Sequence, residues 1–322
     1  MSAYWTPDFP YSTGQELCIC SHTPPPPIND RYPFDYAEYL KRRDMHPVDV
    51  CLLYPPAKGV AEKTTVRLQV LEEIRTGSFH GSQVVSVNIL DQLENIPPNT
   101  KLVAKFYDPL YIDGSDYDDV FYLADRAYSI ESAVYQRLHE LQGRCIPRFY
   151  GSFTMELWIP ERNASRSVRL ILVEKIPGVP MNKLSPDNFT QEERQSILKQ
   201  IIDIESEIYA RDIVNRDLEQ RNIIISTPSN NLTVIDFGHC RIDLERPRFH
   251  EKLKAKLFPG MYISPLLRWG KINRGDERFP EWMDWDWQTW LDEQYAATQA
   301  SITSEMWSIW GLCQCPNSDI LP

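Results

Sequence analysis

Three polar side chains at fixed intervals constrain this 322-residue chain more than any other feature. Asn222 follows Asp217 by five residues, and Asp236 follows Asn222 by fourteen. The residues between them include two apolar runs, 223–225 (I-I-I) and 232–235 (L-T-V-I), which are typical of short buried strands. Carboxylate and amide oxygens are the ligands that Mg²⁺ prefers. The spacing therefore predicts a site in which one carboxylate orients a hydroxyl group, while the amide and the second carboxylate bind magnesium.

The same residues carry a resemblance to a known family. Residues 215–222 (N-R-D-L-E-Q-R-N) resemble the catalytic loop H-R-D-L-x-x-x-N of the protein-kinase-like superfamily, and residues 236–238 (D-F-G) match its metal motif. The resemblance covers roughly residues 65–270. It implies an α+β, bilobal kinase-like fold with a small β-rich N-lobe, a larger helical C-lobe, and ATP and Mg²⁺ between them. Asp217 is then the catalytic base, and Asn222 and Asp236 are the metal ligands.

Lys105 is the second feature that supports the resemblance. It lies in a predicted strand, residues 101–107, within the sequence V-A-K, which is one residue shorter than the family's V-A-I-K. The resemblance implies that Lys105 binds the α- and β-phosphates of ATP and pairs with a glutamate on the next helix. We predict that helix over residues 122–142, with Glu131 as the partner and Glu140 as a second choice. A solvated surface role for Glu131 is the alternative.

Several positions depart from the family pattern. Asn215 replaces the usual histidine, and Glu219 lies where serine/threonine kinases carry a lysine that contacts the transferred phosphate. An acid there would repel the γ-phosphate if it pointed inward. Arg221 is assigned to supply the missing charge, as the arginine of the tyrosine-kinase pattern D-L-A-A-R-N does. Leu266 stands where the glutamate of the later A-P-E motif belongs.

Nucleotide contacts are also expected from the strands before the loop. Residues 75–82 form a predicted hairpin with Gly77 and Gly81, which is not a complete G-x-G-x-x-G, so backbone contacts to phosphate would be partial. Glu174 ends a predicted strand just before the chain breaker 176–178 (I-P-G), which suits a hinge between lobes. We assign Gly77, Gly81 and Glu174 to cofactor binding.

We predict three regions along the chain: residues 1–64 as an N-terminal extension with a Pro-rich linker, 65–176 as the N-lobe and 177–322 as the C-lobe with a Trp-rich tail. The extension reads as largely irregular, and its proline run 24–27 indicates a spacer or an SH3-type ligand. Thr190 and Glu193 form a capping box for a helix that ends near residue 210.

Tryptophans are concentrated near the carboxyl end of the chain. Seven of the nine lie between Trp269 and Trp310. We expect this region to be mainly helical. Core packing is the favoured role of these side chains, and a substrate surface is the alternative.

Composition and charge argue against several classes of function. A net charge of -11 and a pI near 5.1 argue against general nucleic-acid binding and against docking on anionic membranes. An acidic loop at residues 113–119 lacks the spacing of an EF-hand and is interpreted as solvated. The seven cysteines, including the C-x-C pairs 18–20 and 313–315, are expected to be reduced thiols without a metal. No signal peptide or long apolar run is evident, so we expect a cytoplasmic or nuclear protein.

The sequence thus predicts an ATP-dependent phosphotransferase whose acceptor is a hydroxyl group of a protein or a small molecule. A pseudokinase that binds nucleotide or acts as a scaffold is the alternative, favoured by Glu219 and the incomplete glycine pattern. A pure interaction protein, built on the proline run and the tryptophans, is the third possibility.

Overall fold

A computed structural model describes residues 7–28, 36–78, 80–91, 96–97, 100–112, 119–242 and 260–310. Residues 313–315 and most of the acidic loop, 113–118, lie outside this set. The chain divides into two compact units, which we call the barrel unit (Met1–Gln136 with Pro147–Lys175) and the second unit (Arg137–Ile146 with Ile176–Pro322). Helices and antiparallel strands together confirm the α+β class.

Six antiparallel strands close into a barrel in the order β1-β2-β3-β4-β6-β5. Their inward side chains alternate with outward ones: Leu102, Ala104 and Phe106 are fully buried in the barrel core, as the period of a strand requires. The strands are β1 (Glu16–Thr23), β2 (Val60–Arg75), β3 (Gln83–Ile89), β4 (Leu102–Tyr107), β5 (Phe149–Ile159) and β6 (Ala164–Glu174).

The interpretation of the lead segment as largely irregular was wrong. Strand β1 pairs with β2 on one side and with β5 on the other, and so closes the barrel. It is followed by helices α1 (Tyr36–Arg43) and α2 (Pro47–Leu53). Only Leu17 and Ile19 mark the inward face of β1, and the cysteines around them blurred the alternation. Closing the barrel removes the exposed strand edges that would otherwise invite aggregation.

A buried polar network lies in the barrel unit. Asp108, fully buried, accepts two hydrogen bonds of 2.7 Å from the Arg166 guanidinium and one of 2.5 Å from the Tyr11 hydroxyl. Burial and the Asp108 carboxylate raise the pKa of Tyr11 well above its ordinary value. Because each charge is paired, the network fixes the amino-terminal residues to the barrel core.

Helix α3 (Val120–Arg137) is shorter than predicted. The apolar residues Ile130, Val134, Leu138 and Leu141 are all fully buried, so the predicted face exists. The last of them lies in a 3₁₀ turn, His139–Leu141, rather than in the helix. Asp119, predicted to be solvated, instead accepts the N–H groups at the start of α3 and is only 7% exposed.

The second unit is built around helix α4 (Gln191–Tyr209), whose predicted capping box is confirmed. The predicted strands flanking the loop are also confirmed. Three strands form a sheet in the order β10-β9-β7, namely β7 (Val179–Pro180), β9 (Ile223–Ser226) and β10 (Asn231–Val234); β8 (Ile213–Val214) pairs with β11 (Arg241–Ile242). The carboxyl-terminal region contains short helices, Pro265–Arg268, Trp287–Tyr295 and Ser304–Trp310, separated by 3₁₀ turns.

The tryptophans of this region confirm the core-packing interpretation. Five are at most 5% exposed: Trp269, Trp282, Trp287, Trp290 and Trp310. Trp307 is 52% exposed and lines a cavity of about 570 Å³. Across the described part of the chain, no helix has the length and apolar character needed to cross a membrane.

Candidate functional site

The predicted ion pair forms in the barrel unit. Strand β4 places Lys105 on the outside of the barrel, where its Nζ lies 2.5 Å from Oε2 of Glu131 on α3. The same oxygen accepts a 2.8 Å hydrogen bond from the Tyr107 hydroxyl. Both charged residues are buried, at 7% and 1% exposure. Glu140 is excluded as the partner, because it lies beyond the end of α3 and pairs with Arg211.

The lead segment holds helix α3 along the turns that precede Glu131. Four polar contacts join the two, and sequence reasoning missed all of them: Arg42 to Asp119 (2.5 Å), the Ala57 N–H to Asp125 (2.9 Å), His22 to the Tyr128 hydroxyl (2.6 Å) and the Ile28 N–H to Ser129 (3.2 Å). The contacts come from residues far apart in sequence, so no local pattern could have revealed them. They anchor the helix that carries Glu131.

Two side chains in these contacts, His22 and Asp125, have pKa values outside their usual ranges. Burial, with a smaller effect of the nearby Arg169 charge, lowers the pKa of His22 to about 4. Burial raises the pKa of Asp125 to about 6, and its hydrogen bond from the Ala57 N–H opposes that change. His22 is therefore neutral at pH 7 in the folded protein.

Loop 215–222 gathers its polar groups around Asp217. One carboxylate oxygen of Asp217 is paired with the Arg221 guanidinium, and the other accepts a 2.9 Å bond from Nδ2 of Asn222. Asn215 Oδ1 accepts the Asp217 N–H at 3.0 Å, which replaces in part the support expected from histidine. The carboxylate is thus held from both sides by groups of its own loop.

Two hydrogen bonds within the loop orient the Asn222 amide. Its amide nitrogen donates both to the Asp217 carboxylate and, at 2.9 Å, to the Asp217 carbonyl. With both N–H bonds engaged inside the loop, the amide oxygen is the atom presented to a cation. The described residues contain no group of three or more His, Cys, Asp or Glu side chains able to hold a metal ion. A magnesium ion here would therefore take most of its oxygens from phosphate and water, as Mg²⁺ commonly does.

Asp236 is held next to this loop in a strained backbone conformation. The Ile235 N–H donates to the Asn222 carbonyl at 2.9 Å, which ties the two segments together. Asp236 itself has φ +65°, a left-handed conformation uncommon for a residue with a side chain. Phe237 is fully buried. Such strain persists only where the surrounding structure enforces it and is concentrated at functional sites.

Glu219 and Gln220 interact with residues 278–281. Gln220 donates to Glu281 at 2.8 Å, and Glu219 attracts the Arg278 guanidinium, which lies 4.4 Å from the centre of the Trp269 ring.

An ion pair joins the segment that follows Leu266 to helix α4. Leu266 carries no charge, but Arg268, two residues later, pairs with the buried Glu205 of α4. Glu205 also accepts a 3.1 Å bond from the Trp269 indole N–H. The pair connects the helix Pro265–Arg268 to α4, and a motif search for glutamate could not have found it.

The hairpin 76–82 contains both predicted glycines, with Phe79 outside the described residues. The Gly77 N–H donates to Oε1 of Gln83 at 2.7 Å, so that group is engaged within the protein. A Cβ added at Gly81 would have no heavy atom within 4 Å, so open space lies beside this glycine.

Glu174 ends strand β6, and its carboxylate and its N–H both bind the Arg148 backbone. The turn that follows requires glycine at position 178. Gly178 has φ +147°, and a Cβ there would lie 2.6 Å from the Ile225 carbonyl oxygen.

Among known proteins, the likeness found for this chain is a distant structural one. No family model and no curated protein matches the chain. A solved structure, that of the kinase PK-1 from Cydia pomonella granulovirus, matches with 14% identity and a TM-score of 0.36 over 54% of this chain. The match spans 55% of that structure, about half its length. At this TM-score the likeness carries no argument about function.

Proposed function

We propose that this chain is an ATP-dependent phosphotransferase with a bilobal protein-kinase-like fold, in which the barrel unit is the N-lobe and the second unit the C-lobe. The observation that carries the proposal is the double hydrogen bond from Asn222 to Asp217. This contact supports the proposal because it holds a carboxylate and an amide side chain together in one short loop, and phosphoryl transfer uses a carboxylate for the hydroxyl group and an amide oxygen for the cation.

The residues have separate roles in this proposal. Lys105, held by Glu131, binds the phosphates of ATP, and Glu174 and the hairpin glycines Gly77 and Gly81 lie along the nucleotide. Asn222 and Asp236 would hold Mg²⁺, which neutralises charge on the phosphates when bound.

Asp217 orients the acceptor and takes its proton. The hydroxyl oxygen forms a bond to the γ-phosphorus while the bond to the β-phosphate oxygen breaks, and ADP leaves. Arg221 is close enough to Asp217 to balance charge on the transferred group. The acceptor is a hydroxyl group of a protein or of a small molecule.

A pseudokinase is the second candidate, and one observation favours it. Arg221 occupies a carboxylate oxygen of Asp217, the group that must receive the acceptor hydroxyl. If this ion pair does not open, the chain binds nucleotide without turnover.

Substitutions to asparagine separate the candidates. We expect the wild type to bind MgATP and to release ADP, and Asp217→Asn to bind MgATP while turnover falls by about 10²–10⁴-fold. Asp236→Asn keeps a residue that tolerates the left-handed backbone but removes the charge, so it should weaken binding of MgATP more than binding of ATP without metal. Calorimetric titration and an ADP-release assay measure both quantities.

Asp187→Asn is the matched control, because it removes one exposed carboxylate from the second unit. It should leave both quantities unchanged. Binding without turnover in the wild type would establish the pseudokinase, and an absence of nucleotide binding would contradict both candidates.

A further inference from the structure

Gln83, the first residue of β3, is a buried amide with three partners. Its side chain is fully buried. Oε1 accepts the Gly77 N–H at 2.7 Å, and Nε2 donates to the carbonyls of Gly77 (3.2 Å) and Tyr111 (2.9 Å). The reversed amide would point its NH₂ group at an N–H and its oxygen at two carbonyls. The partners therefore determine its orientation.

These bonds connect the hairpin to a fixed point of the barrel unit. Gly77 has φ +105°, a conformation that suits glycine, and both its polar backbone groups bind Gln83. Tyr111 follows Asp108, whose carboxylate is held by Arg166 and also accepts the Leu110 N–H at 3.2 Å. Gln83 thus joins the hairpin tip to a segment that is itself anchored in the core.

We propose that Gln83 is a positioning residue for the nucleotide, which holds hairpin 76–82 in its binding conformation before the nucleotide arrives. This inference rests on the proposed function. Open space lies beside both glycines, but Gln83 already uses the Gly77 N–H, so the phosphate contacts of the hairpin come from its second half, near Gly81.

The energetic basis is preorganisation. A hairpin that is already ordered does not lose conformational entropy when phosphate binds, so affinity is higher. Without the Gln83 amide, the Gly77 N–H and the carbonyls of Gly77 and Tyr111 lose this partner, and at the exposed Gly77 water takes its place, so the hairpin is no longer tied to the barrel unit. Binding must then order the hairpin again.

Gln83→Met tests this inference, because methionine is similar in length and has no amide. We expect the Kd and KM for MgATP to rise about tenfold with kcat within about threefold, since only positioning is lost. Amide hydrogen exchange of residues 76–82 in the ligand-free protein should accelerate at least tenfold. Ser152→Ala removes a different buried hydrogen bond of the same unit, from Ser152 to Ser132. It should change neither the affinity for MgATP nor the exchange rate of the hairpin.

Gln83→Glu is a second variant in case the methionine does not fold. It keeps the acceptor for Gly77 but cannot donate to the two carbonyls at neutral pH. It should therefore also accelerate exchange and weaken binding.

Faster exchange with an unchanged Kd would overturn the positioning role, and unchanged exchange would overturn the connection itself. If the hairpin of the wild type is protected from amide hydrogen exchange but the protein does not bind MgATP, the proposed function is overturned together with the positioning role. The exchange result in the ligand-free protein keeps these failures distinguishable.

Discussion

Two ion pairs carry the proposed chemistry, and they lie in opposite surroundings. In the barrel unit, the Lys105 and Glu131 side chains are 9% and 2% exposed. In the second unit, the Arg221 side chain is 51% exposed and that of Asp217 is 19% exposed. The first pair is shielded from water, whereas the second has water on its cationic side.

This difference distinguishes a fixed ion pair from an exchangeable one. A buried charge that loses its partner remains desolvated, so the partners of the first pair stay together. An exposed pair is weak, because water replaces either partner at low cost. Arg221 can therefore leave Asp217 when a substrate hydroxyl or a phosphate arrives, while Lys105 and Glu131 remain as they are.

The largest effect is expected when the buried pair is broken. Lys105→Met removes the cation that lies 2.5 Å from the buried Glu131 carboxylate, and should lower the free energy of unfolding by about 3–5 kcal/mol. Urea denaturation measures this change. Lys41→Met is the matched control, because Lys41 is 69% exposed and pairs with Glu38, and it should cost less than about 1 kcal/mol.

A double substitution sharpens the result. Adding Glu131→Gln to Lys105→Met removes the buried negative charge but keeps an acceptor for Tyr107, so more than half of the lost stability should return. A loss below about 1 kcal/mol for Lys105→Met alone would show that the pair is solvated and would erase the contrast between the two units.

A smaller effect is expected when acid weakens the contact between the lead segment and α3. The pKa of His22 is about 4 in the folded protein and about 6.5 when unfolded, so unfolding takes up a proton. The His22 contribution is complete above pH 6.5 and is lost as the pH falls towards 4, by up to about 3 kcal/mol. Thermal unfolding across this range measures it.

Asp125 on helix α3 has the opposite effect on the pH dependence of stability. Its folded pKa of about 6 lies above the unfolded value of 3.8, so it stabilises the fold as the pH falls from 6 to 3.8. Comparing the wild type with His22→Gln isolates the histidine: the variant should lose less stability with acid than the wild type. Parallel pH curves would contradict the neutral, buried state of His22.

The smallest change in stability is expected for the exposed pair. Arg221→Gln should alter the free energy of unfolding by less than about 1 kcal/mol. If Arg221 balances charge on the transferred phosphate, turnover falls while the fold is unaffected. Arg216→Gln removes a neighbouring exposed cation and should leave turnover intact. A gain in turnover for Arg221→Gln would identify the ion pair as inhibitory.

The sequence predicted those parts of the molecule in which local spacing encodes geometry. Asn222 and Asp217 contact each other because they belong to one short loop, and the capping box at Thr190 needs only four consecutive residues. The Lys105–Glu131 pair, 26 residues apart, was expected from the family resemblance, and the predicted helix supplied Glu131 as the candidate partner. The roles of these residues and of Gly77, Gly81, Glu174 and Asp236 stay predictions.

Contacts between distant segments were beyond the sequence. Strand β1 was missed because only two inward residues mark it, and the Arg268–Glu205 pair was missed because its partners are 63 residues apart in the chain. Gln83 looked like an ordinary residue at the start of a strand. Its role depends on Tyr111, which only the folded chain brings within reach.

By itself, then, the sequence determined which side chains are candidates for binding phosphate and magnesium, because residue type and local spacing limit that chemistry. Tertiary structure alone decided how firmly each is held. Burial sets the strength of an ion pair, and burial depends on strands and helices that are far apart in the chain. The same kind of charge pair is therefore permanent at Glu131 and exchangeable at Asp217.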